Sequence, residues 1–301
     1  MTLKRFAAAA AICLLAACHQ TGKDNAAAPA QSETAEAAIA PILATDDAID
    51  IHSYAKPLEA RVYHVALDLN VDFDTKRIGG TATLDIDRKP NAREIVLDDK
   101  GLEIESIADG SGDPLQYKVG AADPNRGAPL AVALKPDTKR LVIKYKSAPD
   151  AGALQWLTPE QTAGKKKPFL FSQGEAIENR SWIPTQDSPG IRQSWEATIH
   201  VPAGFTAVMS APRSAEPITQ GGESVFTFKM PHSVAPYMVA IAVGDLAFKP
   251  LGPRTGVWAE PAMLDAAARE LSDSEKMVAA AEKLYGPYQW GRYDMLVLPP
   301  S

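Results

Sequence analysis

The sequence predicts a mainly β protein, and three observations predict it. Residues 65–73 alternate with period two: Val65, Leu67, Leu69, Val71 and Phe73 point one way, Asp68, Asn70 and Asp72 the other. Short apolar runs of the same kind recur over the next 180 or so residues, parted by clusters of Pro, Gly, Asn and Asp. No helical period appears before Gly252.

The elements follow in chain order. Asp74-Thr75-Lys76-Arg77 is a polar break, after which Ala82, Leu84 and Ile86 alternate with Thr83, Asp85 and Asp87. The two segments read as an antiparallel hairpin with one wet face. Further strands are expected at 94–97, 102–107, 141–145, 196–201 and 225–229, separated by turns such as Gly110-Ser111-Gly112-Asp113-Pro114 and Gln220-Gly221-Gly222. The continuous apolar run Tyr237 to Val243 reads as a strand buried on both faces. Many short strands with turn signals indicate an all-β sandwich or saddle. From Met263 to Tyr285 the residues are strong helix formers. Ser272-x-x-Glu275 has the spacing of a capping box and would start a second helix. Met277, Ala280, Ala281 and Leu284 then form one apolar stripe. Gly286-Pro287 stops that helix, and Tyr293 to Leu298 is a short strand closed by Pro299-Pro300. The change near Gly252 suggests a second domain that has barely begun at Ser301. About 50 residues are too few for an independent α/β domain.

The first residues read as an address. Lys4 and Arg5 precede an apolar run, Phe6 to Leu15, too short to span a bilayer comfortably, which takes about 20 residues. Residues 1–17 are therefore expected to be a signal peptide. Leu15-Ala16-Ala17-Cys18 resembles a bacterial lipobox, which makes Cys18 the expected lipidation site. His19 rather than Asp follows the cysteine, a pattern that in lipoproteins resembles outer-membrane sorting. Residues 18–45 carry few large apolar groups and read as a flexible tether. The expected location is the bacterial cell envelope, facing the periplasm, with the membrane as a partner through the lipid. No other segment has 18 consecutive apolar residues, so no transmembrane helix is expected.

Composition narrows the function. The 301 residues carry a formal charge of -6, which argues against nucleic acid as a partner. The one dense basic run, Lys165-Lys166-Lys167, reads as a solvated loop. Both cysteines, Cys13 and Cys18, lie in the first eighteen residues, so the body has neither disulfides nor cysteine-based metal sites. The five histidines are scattered, and H-E-x-x-H, G-x-S-x-G and phosphate-loop patterns are absent. His64 and His200 read as structural or solvent-facing residues on strands. One segment stands out. Phe169 to Arg180 places Glu175, Glu178 and the amide of Asn179 beside a strand-like aromatic run. A Glu on a rigid sheet edge suits an ammonium group. Asn179-Arg180-Ser181 also fits a glycosylation sequon, idle in a bacterial lipoprotein.

Several ordered motifs carry a resemblance. Gln155 to Thr162 followed by Pro168 to Gln173, then Met209-Ser210-Ala211, then Gly252-Pro253-Arg254-Thr255-x-Val257-Trp258, look like the leukotriene A(4) hydrolase branch of the zinc aminopeptidases. So does Gly286-Pro287-Tyr288-x-Trp290-Gly291-x-Tyr293-Asp294, running on to Leu298-Pro299-Pro300-Ser301. The chain thus resembles the peptidase M1 (gluzincin) family, from roughly His52 to its end. The resemblance implies a saddle-like antiparallel β-sandwich as N-terminal domain, residues 46–251. The truncated start of a thermolysin-like α/β catalytic domain, residues 252–301, would follow. It implies zinc in the full-length enzyme, with the zinc motif lying beyond this sequence, so that this chain is expected to bind none and to be inactive alone. It also implies that Glu175, with Gln173 beside it, binds the free amine of peptide N-termini. The hydrolase has Gln at the position of Glu175 and aminopeptidase N has Glu, so this residue tilts the parent enzyme towards plain aminopeptidase. A catalytic domain encoded separately would be a further partner. The alternative is a non-catalytic β-saddle lipoprotein that binds peptide N-termini or a partner protein. The apolar strand and Pro-Pro at the end favour the enzyme fragment.

Overall fold

A computed structural model describes residues 39–300, all within one compact unit. The signal-peptide and lipidation readings, Cys18 included, fall outside the described residues.

The expected hairpin is the centre of the fold. Strand β1 (Ala60–Asp72) pairs antiparallel with β2 (Arg77–Arg88), with Leu67 opposite Ala82 and Val65 opposite Leu84. Asp72 caps the turn by accepting hydrogen bonds from the backbone of Asp74 and Thr75 and from the Thr75 hydroxyl. Gly80 lies opposite Leu69 with φ 150°, and a Cβ there would collide with the Asp68 carbonyl. Strands β4 (Glu103–Asp109), β7 (Arg140–Lys146), β10 (Gln193–Pro202), β12 (Ile218–Gln220) and β13 (Glu223–Val234) extend this hairpin. The result is a seven-stranded sheet of order β12-β13-β10-β1-β2-β7-β4. All its pairs are antiparallel except β1–β10, a departure from the expected antiparallel sandwich. A parallel pair needs a long crossover, and here the chain between them builds most of the two smaller sheets.

Those sheets are β3 (Glu94–Asp99), β5 (Tyr117–Val119) and β6 (Ala128–Ala133) in order β3-β6-β5, and β8 (Leu154–Leu157), β9 (Phe169–Ser172), β11 (Thr206–Met209) and β14 (Ile241–Gly244) in order β11-β14-β9-β8. Both pack on the large sheet over one core that includes Leu69, Leu84, Ile143, Trp195, Leu130, Leu170 and Val243. The run Tyr237–Val243 divides. Pro236, with its fixed φ, starts a 3-10 turn over Pro236–Met238, and only Ile241–Gly244 is strand, buried throughout as expected. Phe169 and Ala242 on the other face of that sheet join Leu246 in a second cluster, which contacts Trp258 and Leu296.

The last fifty residues give a third small sheet of β15 (Ala247–Pro250), β16 (Thr255–Ala259) and β17 (Tyr293–Leu296), with helices α1 (Pro261–Glu270) and α2 (Ser274–Tyr285) between β16 and β17. Two expectations are corrected here. The Ser272/Glu275 capping box does not form. Helix α2 begins at Ser274, and the Glu275 carboxylate instead accepts from Arg254 Nε at 2.9 Å and the Thr255 hydroxyl at 3.0 Å. The stripe of Met277, Ala280, Ala281 and Leu284 faces outward, with Met277 68% and Leu284 75% exposed. The reason is electrostatic. Glu275 and Glu282, seven residues apart on one face, both pair with Arg254, and this turns Ser274 and Val278 inward. Among the described residues no helix is long and apolar enough to cross a membrane.

Candidate functional site

Strand β9 ends at Ser172, paired with β8 on one side and β14 on the other, so the residues after it leave a rigid edge. Gln173 is still tied down, its N–H donating to the Ala153 carbonyl at 2.8 Å. Its side-chain oxygen then accepts from the Glu175 N–H at 3.0 Å. The structure thus brings the two sequence-predicted residues together, both exposed, with the Glu175 carboxylate at the loop tip. The next acid is neutralised. Glu178 takes two contacts from Lys100 Nζ, at 2.8 and 3.1 Å, which leaves Glu175 as the carboxylate of this loop without an ion-pair partner among the described residues.

What holds the loop was only partly visible in the sequence. Asn179 is buried, and its amide nitrogen donates to the carbonyls of Pro236 (2.6 Å) and Val239 (2.9 Å), while its oxygen accepts from the Trp182 indole at 2.7 Å. With both amide hydrogens engaged, this Asn is an anchor, whatever its sequon pattern suggests. Gly174 lies against it, and a Cβ on Gly174 would collide with the Asn179 Oδ1. We expect Gly174→Ala to displace Asn179 and lower stability by about 1–3 kcal/mol. A urea melt within 0.5 kcal/mol of the parent protein would contradict that.

Arg180 follows, fully buried among two carboxylates. Its Nε lies 3.3 Å from Asp187 and its Nη1 3.7 Å from Asp98, and it also donates to the carbonyls of Arg126 and Asp187. Asp98 in turn accepts from the Ser53 hydroxyl and from the N–H groups of Tyr54 and Asp187. No motif marks this cluster. The available sign was charged residues between apolar strands at positions far apart in sequence. Two acids share one cation, and burial, opposed by Arg180, pushes Asp187 up to about 6; Asp98 is raised too, for the same reason. An unfolded Asp titrates near 4, so between about pH 4 and 6 the folded chain holds the extra proton. This group's contribution therefore falls as pH rises through that window and then levels off. Asp187→Asn removes the effect. The variant should gain on the parent protein by about 2 kcal/mol between pH 4.5 and pH 7.5 in urea unfolding, and equal pH profiles would refute it.

Among the described residues no three His, Cys, Asp or Glu side chains converge on one point. His64 Nδ1 is paired with the Ser194 hydroxyl at 2.8 Å, and His200 bridges Glu223 and Asp68 at 3.1 and 3.0 Å. Lys165-Lys166-Lys167 lies in a loop as expected, with Lys167 paired to Asp245. A cavity of about 680 Å³ is lined by Phe171 and Ser172 but reaches neither Gln173 nor Glu175.

Fold and loop together define a β domain of the kind that metallopeptidases carry at their amino-terminal end. The chain belongs to the peptidase M1 N-terminal domain family, whose pattern matches residues 58–238. Aminopeptidase B of Mus musculus is 38% identical over 279 residues, covering 84% of this chain and 42% of its own length. Leukotriene A-4 hydrolase of Xenopus laevis is 36% identical, with the same coverages. The native yeast LTA4 hydrolase structure superposes with a TM-score of 0.77 at 29% identity, covering 84% of this chain and 40% of that one. An M1 zinc metallopeptidase from Deinococcus radiodurans, at 20% identity and a TM-score of 0.66, shares the fold. The chain spans about two fifths of the length of the curated relatives it matches.

Proposed function

We propose that this chain is the N-terminal part of a zinc metallo-aminopeptidase, and that Glu175, with Gln173, holds the free α-amine of the peptide to be shortened. One observation carries the reading. An exposed carboxylate without an ion-pair partner among the described residues is presented from a strand end whose loop is anchored by buried Asn179 and Arg180. A fixed anion suits an N-terminal ammonium group, because the contact is charge-assisted and the loop need not be ordered on binding. Similarity to aminopeptidase B supports the same reading. Residues 252–301 are read as the beginning of the catalytic domain. Zinc belongs to the whole enzyme, so the chain alone is expected to give no zinc-dependent hydrolysis of aminoacyl-arylamides.

The test is a backbone NMR titration of the chain with Ala-Ala-Phe and with its N-acetyl form. The free amine should shift the amide signals of residues 173–175, and the acetylated peptide should not. Equal shifts, or none from either peptide, would refute the assignment.

The location is a separate proposal. Cys18 is read as lipidated, which would hold the domain on the periplasmic side of a bacterial envelope membrane, with the outer membrane as the expected one. Metabolic labelling with a palmitate analogue should tag the chain, and Cys18→Ser should abolish the tag.

A further inference from the structure

The cavity beside β9 opens between the four-stranded sheet and the β15–β17 sheet. Its size, about 680 Å³, suits a small organic ligand. Met209, Ile241, Trp258, Trp290, Tyr293 and Leu298 supply apolar wall. Trp290, Tyr293 and Leu298 are large apolar residues left exposed there.

The charges in these walls are unequal. Arg292 and Asp294 satisfy each other through two contacts, at 2.9 and 2.8 Å. Arg213 has no such partner among the described residues. Its guanidinium lies 5.0 Å from the Phe226 ring and 4.9 Å from the Trp258 ring, and one nitrogen reaches the Ala207 carbonyl at 3.5 Å. Its Nε–H is buried, with no acceptor among the described residues. Glu216 acts on it only through space. Ring faces offset part of the lost hydration of a cation but accept its hydrogen bonds poorly. A largely apolar cavity with one cation in its wall that has no carboxylate partner among the described residues is complementary to an anion with an apolar body.

We propose that this cavity binds a small amphipathic carboxylate, its oxygens on Arg213 and its apolar body against Met209, Trp258 and Leu298. The site is distinct from Glu175, and it stands or falls independently of the proposed peptidase role.

Calorimetric titration of the full chain with 6-phenylhexanoate and with its uncharged amide tests it. The acid should bind about tenfold or more tightly than the amide. Arg213→Met should erase that preference. Ala211→Trp, which fills the cavity, should weaken both ligands. Equal affinity for acid and amide, or no binding of the acid, would overturn the site, and so would unchanged binding by the Ala211→Trp variant. The acid-to-amide ratio is read on the unsubstituted chain, so it decides the matter even if a variant does not fold.

Discussion

Replacing Arg180 with Met should lower stability by about 3–5 kcal/mol, among the largest losses a single substitution in this chain could give. Met fills much of the same space, so little of the effect is a cavity. The loss comes from what the guanidinium leaves behind. Asp98 and Asp187 would be two buried carboxylates with no cation, and the carbonyls of Arg126 and Asp187 would lose their donors. Asp98 keeps the Ser53 hydroxyl and two N–H donors, which is why the chain is expected to fold at all. The melting temperature should fall by about 10 °C for a domain of this size. Arg180→Met combined with Asp187→Asn should recover part of the loss, because one orphaned charge goes with the one removed. A single variant that melts within 2 °C of the parent protein would show that the cluster adds nothing to stability.

Glu175→Gln should have the second large effect, on binding rather than on folding. Its size depends on what surrounds the carboxylate. In this chain Glu175 is exposed, where solvent screens an ion pair, so the loss of affinity for Ala-Ala-Phe should be only a few-fold. In a complete enzyme whose remaining part covers the loop, the same contact is desolvated. The fall in kcat/KM should then reach one to two orders of magnitude. The Gln173–Glu175 backbone contact survives the change, so the loop keeps its shape and the thermal melt should not move. An enzyme variant with unaltered kcat/KM would remove Glu175 from the amine site.

Much of the fold was legible because one face of each long strand is wet. Val65, Leu67, Leu69 and Val71 alternate with mostly polar residues such as Asp68, Asn70 and Asp72, and that period made the β1–β2 hairpin legible, whereas its register comes only from the pairing itself. Strands β5, β6, β8, β11, β12, β15 and β16 were not read as strands. They are three to six residues long, too short for a clear period to show, and long-range pairing decides them. At the site, Glu175 and Gln173 were visible through the resemblance, whereas the support beneath them was not. Asp98 lies on a strand far ahead of Arg180 and Asp187 in the sequence, and only folding reveals that the three share one pocket. In α2 the residue types were read correctly and the orientation was not. Apolar periodicity competes there with two acids paired to one arginine, and the ion pairs set the rotation.

That rotation reverses what a helical-wheel drawing would advise about mutating α2. Met277→Glu and Leu284→Lys, ruinous on paper, should leave the melting curve of this chain almost unmoved and make it more soluble, since each trades hydrated hydrocarbon for a charge. Val278→Asp, one position along, should unfold the helix from its bed. Anyone preparing this polypeptide for biophysics has in α2 a ready place to suppress clumping without touching its architecture.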